Sequence, residues 1–398
     1  MGLIRSGGYS LGAHVNFHAV VFCFWFSIYI YIPLFSVYLE SLQFSYSMIG
    51  TILGAYGVTQ ILFRLPLGVM TDYLHRSRKM LILLSFVCAF VSCMLMIYFT
   101  HFILVLLARL LAGVTASMWV LVTVMYTYYF APGESARSMG AVQFNMVVTQ
   151  FVCMSVSGVL IAYLGWRFPF VLGAIAALVG VVLSWNLREV NVEKSAARSF
   201  DFIRAVKETN RIKGLKVLTF LSLIAHAMLF ITVFGFSPVL ATSIGVTEAQ
   251  FIWLMGAFFI PHALTSFLLV VYPFEQRYHM PVLIGSFLLS ILFLGIIPLA
   301  NSLLTISLYH AGLGFFLGFT FPLILSEVVR VSPEQLKMSA MGYYQSFYAI
   351  GILLGPLVAG MIGDYFGLRA IFYLSAFASF LLVIPVLLRM YITRRRVA

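Results

Sequence analysis

Stretches of about twenty apolar residues recur twelve times along this chain, separated by short polar breaks. A helix of about twenty residues crosses the ~30 Å hydrocarbon layer of a bilayer, so each stretch is long enough to span it. Only lipid accommodates so much apolar surface. Of the 398 residues, 62% are hydrophobic and 9% charged, where a soluble domain carries about 25% charged residues. The 38 Phe and 21 Tyr suit lipid-facing and interfacial positions. The spans run over residues 15–39, 47–70, 80–99, 102–129, 138–163 and 168–187, then 217–240, 249–272, 280–299, 303–326, 339–362 and 369–391. This predicts an all-α integral membrane protein with twelve transmembrane helices in two six-helix bundles, residues 1–187 and 217–398, joined by a polar linker over 188–216. The first span is too long for a signal-peptide core, and no small-residue cleavage site follows it, so it is expected to remain a transmembrane helix.

Lys and Arg set the orientation. Of their 24, 20 fall in the termini and loops of one side, Arg167 and Arg369 fall on the other, and Arg64 and Arg109 lie within spans. The positive-inside rule places the basic side, with both termini, in the cytoplasm. The short loops suggest the plasma (inner) membrane of a bacterium. The formal charge of +12 therefore reads as loop charge beside lipid, and no nucleic-acid partner is expected. The linker holds eight of the bases beside Glu189, Glu193, Asp201 and Glu208, and its Phe200, Phe202, Ile203 and Val206 permit an amphipathic surface helix. Cys23, Cys88, Cys93 and Cys153 lie inside apolar spans without metal-ligand spacing and read as small apolar residues. No metal or cofactor is expected.

The two halves resemble each other at an offset of 202 residues. Met139, Gly140 and Gln143 map onto Met341, Gly342 and Gln345, and Gly158, Tyr163, Gly165 and Arg167 map onto Gly360, Tyr365, Gly367 and Arg369. A local offset of 201 pairs Gly113 with Gly314 and Arg109 with His310, in the fourth and tenth spans. Shared Gln, Arg and Gly at one spacing are harder to reach by chance than shared Leu. Two parallel repeats with a site between them is a transporter architecture.

The chain resembles the major facilitator superfamily over nearly its whole length. Between the second and third spans it carries Gly68, Met70, Asp72, Arg76, Arg78 and Lys79, the spacing of that family's loop motif, with Tyr73 and His75 standing where Arg and Gly are usual. The resemblance implies the major facilitator fold, and it implies that Asp72 holds a cytoplasmic gate closed with Gly68, Arg76, Arg78 and Lys79 around it. Arg109 to Gly113 resembles the Arg-x-x-x-Gly element of proton-coupled members. The exporter motif of the fifth span survives only as Gly158, with Cys153, Met154 and Ser157 at its other positions. The eleventh span holds Gly351, Gly355, Pro356 and Gly360, which serve close packing or a hinge.

No nucleotide-binding loop, metalloprotease motif or nucleophile elbow occurs, so this is not read as an enzyme, and energy must come from a gradient or a partner. An ionisable residue at mid-membrane costs about 2.5–3.5 kcal/mol on insertion scales and should face a cavity. The candidates for a substrate and proton pathway are Arg109, Arg64 with Gln60 one turn before it, His226, His262, His310, and the amides Gln143, Gln150 and Gln345. The acids, among them Glu40, Glu327 and Asp364, fall at span ends or loops, with Glu327 expected to pair with Arg330. A proton carrier would then be histidine or a boundary acid. The expected function is secondary transport of a small organic molecule by alternating access, as proton-coupled drug or metabolite efflux, by a monomer. The alternative is an uptake symporter or uniporter for a small, anionic solute. A non-transporting receptor or membrane-embedded enzyme ranks below both.

Overall fold

The computed structural model describes residues 9–70, 78–130, 135–187, 202–271, 275–333 and 336–395. Twelve of its helices are long and apolar enough to cross a membrane. The first six are α1 (Leu11–Ser41), α2 (Tyr46–Met70), α3 (Arg78–Tyr98), α4 (Phe102–Ser117 and Trp119–Thr127, joined at Met118), α5 (Ser135–Leu164) and α6 (Phe168–Trp185). The second six are α7 (Leu215–Ser243), α8 (Phe251–Val271), α9 (Gln276–Ile296), α10 (Leu303–Val331), α11 (Lys337–Phe366) and α12 (Leu368–Arg395). A short linker helix, Phe202–Asn210, lies between the sets and meets α11, where the Tyr343 hydroxyl donates to Asn210 Oδ1 at 3.1 Å.

The helices outrun several predicted spans on the Lys- and Arg-rich side, called here the basic face. α5 begins at Ser135 and α10 runs to Val331. Hydropathy stops at the first charges, whereas the backbone hydrogen-bond ladder continues through them. Two helices are also interrupted in the middle. In α1, Pro33 lacks the N–H that would bond the Tyr29 carbonyl, and the chain tightens into a 3₁₀ turn over Ile32–Leu34. In α7, Pro238 lacks the N–H for the Phe234 carbonyl, and a π turn over Thr232–Phe236 precedes it. Both breaks fall at the level of the central site.

Contacts between the two sets of six follow the repeat. α2 packs along α11, and α5 meets α8. A Cβ on Gly158 of α5 would collide with the Glu248 carbonyl at the start of α8, and a Cβ on Gly360 of α11 would collide with the Tyr46 carbonyl at the start of α2. Glu248 and Tyr46 are themselves 202 residues apart, so one close approach is made twice about a pseudo-twofold axis. Likewise Gly113 of α4 seats on the Tyr56 carbonyl of α2, and Gly314 of α10 seats on the Phe258 carbonyl of α8. These contacts match the local 201 offset and put Arg109 and His310 at corresponding positions. Gly158 and Gly360 thus both act as seats for a neighbouring helix.

The face opposite the basic one is closed. There the outer segments of α1 and α7 touch. Asp364 at the end of α11 accepts the N–H of Tyr46 at 2.7 Å and of Ser47 at 3.0 Å, capping the first turn of α2 from the other half.

Candidate functional site

Arg109 lies on α4 and is 2% exposed. Its guanidinium carbon stands 4.2 Å from the ring centroid of Tyr56 on α2 and 5.6 Å from that of Phe35 on α1. Its Nε and Nη1 have no hydrogen-bond partner. The Tyr31 hydroxyl lies near it without closing a hydrogen bond, and Tyr29 stands between Tyr56 and Gln150 of α5. Arg109 borders a narrow gap at the meeting of the halves, walled by Ile28, Tyr29, Ile32 and Tyr56 from one side and Phe230 and Phe234 from the other. The gap is too tight for a water-sized sphere. Desolvating a charge costs several kcal/mol, and a cation–π contact returns about 2 kcal/mol when desolvated. The guanidinium is therefore held with donors in hand and no carboxylate among the described residues to take them, which suits a visiting acceptor.

A second cluster joins the halves nearer the basic face. Arg64 of α2 donates from Nη1 to the Tyr348 hydroxyl of α11 at 2.5 Å. The Tyr348 ring stacks on His226 of α7 at 3.9 Å and 2°. His226 donates through Nδ1 to the Ser222 carbonyl at 2.8 Å, and its ring also meets Phe321 of α10 at 4.7 Å. The other face of this aromatic group reaches His262, 6.0 Å from Phe321. His262 Nδ1, Arg64 Nε and Gln345 Oε1 are buried without partners. One group from the first half, Arg64, and several from the second thus meet around one ring system.

The other sequence candidates divide. Gln60 turns back to donate to its own helix at the Tyr56 carbonyl, 2.9 Å away. His310 is fully buried and donates through Nδ1 to the Ile306 carbonyl at 2.7 Å, with Nε2 unpartnered. It makes no contact with Arg109. Gln143 lies on α5 and Gly68 near the end of α2 as backbone positions, outside the described side chains, and Asp72 and Arg76 lie outside the described residues. Arg78 and Lys79 open α3. Arg78 is buried over the Tyr128 ring at 5.0 Å, and Lys79 donates to the Trp185 carbonyl at 2.5 Å. Both tie α3 to its neighbours within the first half.

Glu327, one turn before the end of α10, does pair with Arg330, at 2.6 Å; it is 2% exposed and also takes His279 of α9 at 3.0 Å. These two partners hold it as a structural carboxylate. Sequence reasoning missed the aromatic wall, because Phe and Tyr are too common here to stand out. It also missed His14 and His18, which lie near the start of α1. Their partners Tyr126 and Asn145 come from distant helices.

Twelve membrane-crossing helices in two pseudo-symmetric sets, meeting at a buried cation and an aromatic gap, define a transporter fold. A family model for the Major Facilitator Superfamily matches residues 17–239 and 218–398. The chain belongs to the Major Facilitator Superfamily. It is 33% identical over 106 residues to an uncharacterized MFS-type transporter of Bacillus subtilis, a match spanning 26% of this chain and 27% of that protein's length. It is 22% identical to a chloramphenicol efflux pump of Mycobacterium tuberculosis, over 81% of this chain and 79% of that protein. A crystal structure of a nucleoside transporter superposes with a TM-score of 0.79 at 14% identity, covering 94% of this chain and 98% of that one, which shows the shared fold.

Proposed function

We propose that the chain is a proton-coupled exporter of small organic molecules, working by alternating access between two rigid halves, residues 1–187 and 217–398, hinged by the 188–216 linker. The observation that carries this reading is the unpaired Arg109 guanidinium at the seam, among rings from both halves. A substrate with a flat or apolar face and an acceptor or anionic group would stack on Tyr56, Phe230 and Phe234 and take the free Arg109 donors. It would bind where closure on either face buries it. Export is supported by the efflux activity named for the mycobacterial relative. A single chain supplies both walls of the gap, which supports a working monomer. The charge bias of the loops supports both termini in the cytoplasm of a bacterial inner membrane. The basic face would then be cytoplasmic, with Asp72 and its basic neighbours as the gate on that side. The uniport or symport of an anionic solute is the second reading, favoured by a cation that meets no described acid.

The test compares small molecules inside and outside cells that carry the chain or its Arg109→Ala variant, with radiolabelled chloramphenicol as one defined probe. The expected result is at least one solute depleted inside and enriched outside, lost in the variant at equal membrane expression. No solute shifted, or full export by Arg109→Ala, would overturn the reading. Dissipating the proton gradient should abolish the export, and unchanged initial rates would leave uniport in its place.

A further inference from the structure

We propose that His18 is a proton-binding site, and that a proton taken up there unfastens α1 from α5. The inference rests on the proton-coupled reading above. His14 and His18 stand one turn apart on α1 and share one partner, the Tyr126 hydroxyl of α4. It lies 3.0 Å from His14 Nδ1 and 2.9 Å from His18 Nε2. Phe17 stacks on the Tyr126 ring at 4.5 Å and fixes it between them. On its other side, His18 Nδ1 faces Asn145 Nδ2 of α5 at 3.1 Å.

The hydrogen positions in this chain follow from one backbone contact. Asn145 Nδ2 lies 3.0 Å from the His18 carbonyl, an acceptor only, so the amide nitrogen must be on that side. With an N–H₂ group facing it, His18 Nδ1 must be the bare, accepting nitrogen. Its proton is then on Nε2 and is donated to the Tyr126 oxygen. The Tyr126 hydroxyl turns its hydrogen to His14 Nδ1, and His14 carries its own proton on Nε2. Every donor points the same way, from Asn145 through His18 and Tyr126 to His14.

Such a chain accepts a proton at one end only. A proton arriving at His18 Nδ1 forms a new N–H bond there and removes the lone pair that held Asn145. The charge can move on: the Nε2 proton passes to the Tyr126 oxygen while the phenol proton passes to His14 Nδ1, leaving one added proton in the chain. In either form His18 Nδ1 bears hydrogen and confronts the Asn145 amide hydrogens, donor against donor. The contact must open, or the amide must turn over and give up the His18 carbonyl. Both outcomes break the present tie between α1 and α5. His18 and Asn145 are partly exposed, while His14 is 4% exposed.

The groups facing the two rings are Tyr126 from α4, Tyr129 and Phe130 just past its end, and Asn145 from α5, and His14 is the titratable ring that bears on His18. No carboxylate or guanidinium among the described residues reaches either ring. The consequence travels along both helices. About three turns further on, α1 carries Tyr29 and Tyr31 beside Arg109; α5 carries Gln150 beside Tyr29, between one and two turns on, and further along Gly158 against α8. Loosening α1 from α5 therefore acts on the wall of the gap and on a contact between the halves.

The test labels the eight histidines of the full chain with ¹⁵N in lipid nanodiscs and reads the tautomer of each ring by NMR, assigned with His14→Gln and His18→Gln. At pH 8, His14 and His18 should both carry hydrogen on Nε2, unlike His226 and His310, which donate through Nδ1. Acidification should convert the pair to an imidazolium, and the conversion should vanish in His18→Gln. Asn145→Asp, which offers an acceptor to the new N–H, should raise the midpoint by about one pH unit or more. A His18 bearing hydrogen on Nδ1 at pH 8, a pair still neutral at pH 5, or an unmoved midpoint in Asn145→Asp would overturn the proposal. Chloramphenicol export under an imposed pH gradient separates it from the coupled reading. A protonating His18 with gradient-independent export supports the site and overturns the coupling. Gradient-driven export kept in full by His18→Gln overturns the site and leaves the coupling.

Discussion

Asp364→Ala should unlatch the face opposite the basic one. The Asp364 carboxylate takes the Tyr46 and Ser47 N–H groups at 2.7 and 3.0 Å, two donors that the start of α2 otherwise leaves to water. Removing a side-chain cap costs about 0.5–2 kcal/mol, and a carboxylate at a helix start contributes about 0.3–1 kcal/mol through the helix dipole. Asp364 is exposed, so solvent screening argues for the lower part of that range, about 1 kcal/mol. The cap joins the two halves and exists only while that face is closed, so its whole value falls on one side of the conformational equilibrium. About 1 kcal/mol is roughly fivefold in the ratio of closed to open molecules. Spin labels on Tyr98→Cys and Leu304→Cys, exposed positions at that face in different halves, report the ratio by electron–electron distance measurements in nanodiscs. The open population should grow about fivefold relative to closed, and Asp364→Asn, which keeps one acceptor, should fall between. An unchanged distance distribution in Asp364→Ala would refute the latch. The pseudo-equivalent position is Ala162 on α5, and the start of α8 is preceded by its own Thr247 and Gln250 capping box instead, so the first half offers no compensating carboxylate.

Arg109→Lys keeps the charge but loses the planar fork over Tyr56, and should lower export at least tenfold at normal expression; near wild-type rates would show that charge alone suffices. Gly158→Val forces a side chain into the Glu248 carbonyl and should destabilise the closed contact by about 1–3 kcal/mol, read as a shift toward the open distance in the same spin-label assay. Tyr348→Phe removes the acceptor for Arg64 while keeping the stack on His226, and should lower thermal stability by about 1.5–3 kcal/mol or slow transport, measured side by side. Single cysteines at Ser45 and Thr247 should react with an impermeant thiol reagent added outside and those at Ser77 and Ser199 should not; the reverse pattern would invert the orientation.

The twelve spans were legible because lipid demands about twenty apolar residues each time, and no packing detail is needed to see them. The repeat was legible because glycine is chosen for contact geometry: the 202-residue offset joins Gly158 with Gly360 and also Glu248 with Tyr46, the carbonyls they rest on. Arg109, Arg64 and His226 stood out by being ionisable in apolar surroundings. Their surroundings did not, since Tyr56 and Tyr348 look like many other rings until helices distant in sequence are brought together. The breaks in α1 and α7 were hidden for a related reason. Pro33 and Pro238 were visible, but a proline in a span becomes a 3₁₀ or π turn only when neighbouring helices support the loosened backbone.

Where the repeat fails is as informative as where it holds. Symmetric positions carry the scaffold: the glycine seats and the paired interfaces. The polar chemistry sits where symmetry is broken. Arg109 corresponds to His310, a permanent charge facing a gap against an imidazole tied to its own helix. Asp364 corresponds to Ala162, and His18 corresponds at the same offset to Phe220. A twofold scaffold by itself gives two related closed states, one at each face. Unequal groups at equivalent places make those states unequal in energy and responsive to different ligands. A cap that exists only with one face closed, a cation without a partner at the seam and a titratable pair in one half alone bias the scaffold in three separate ways. On the proposed reading, these are what allow a proton and a solute to drive the same rocking motion in turn.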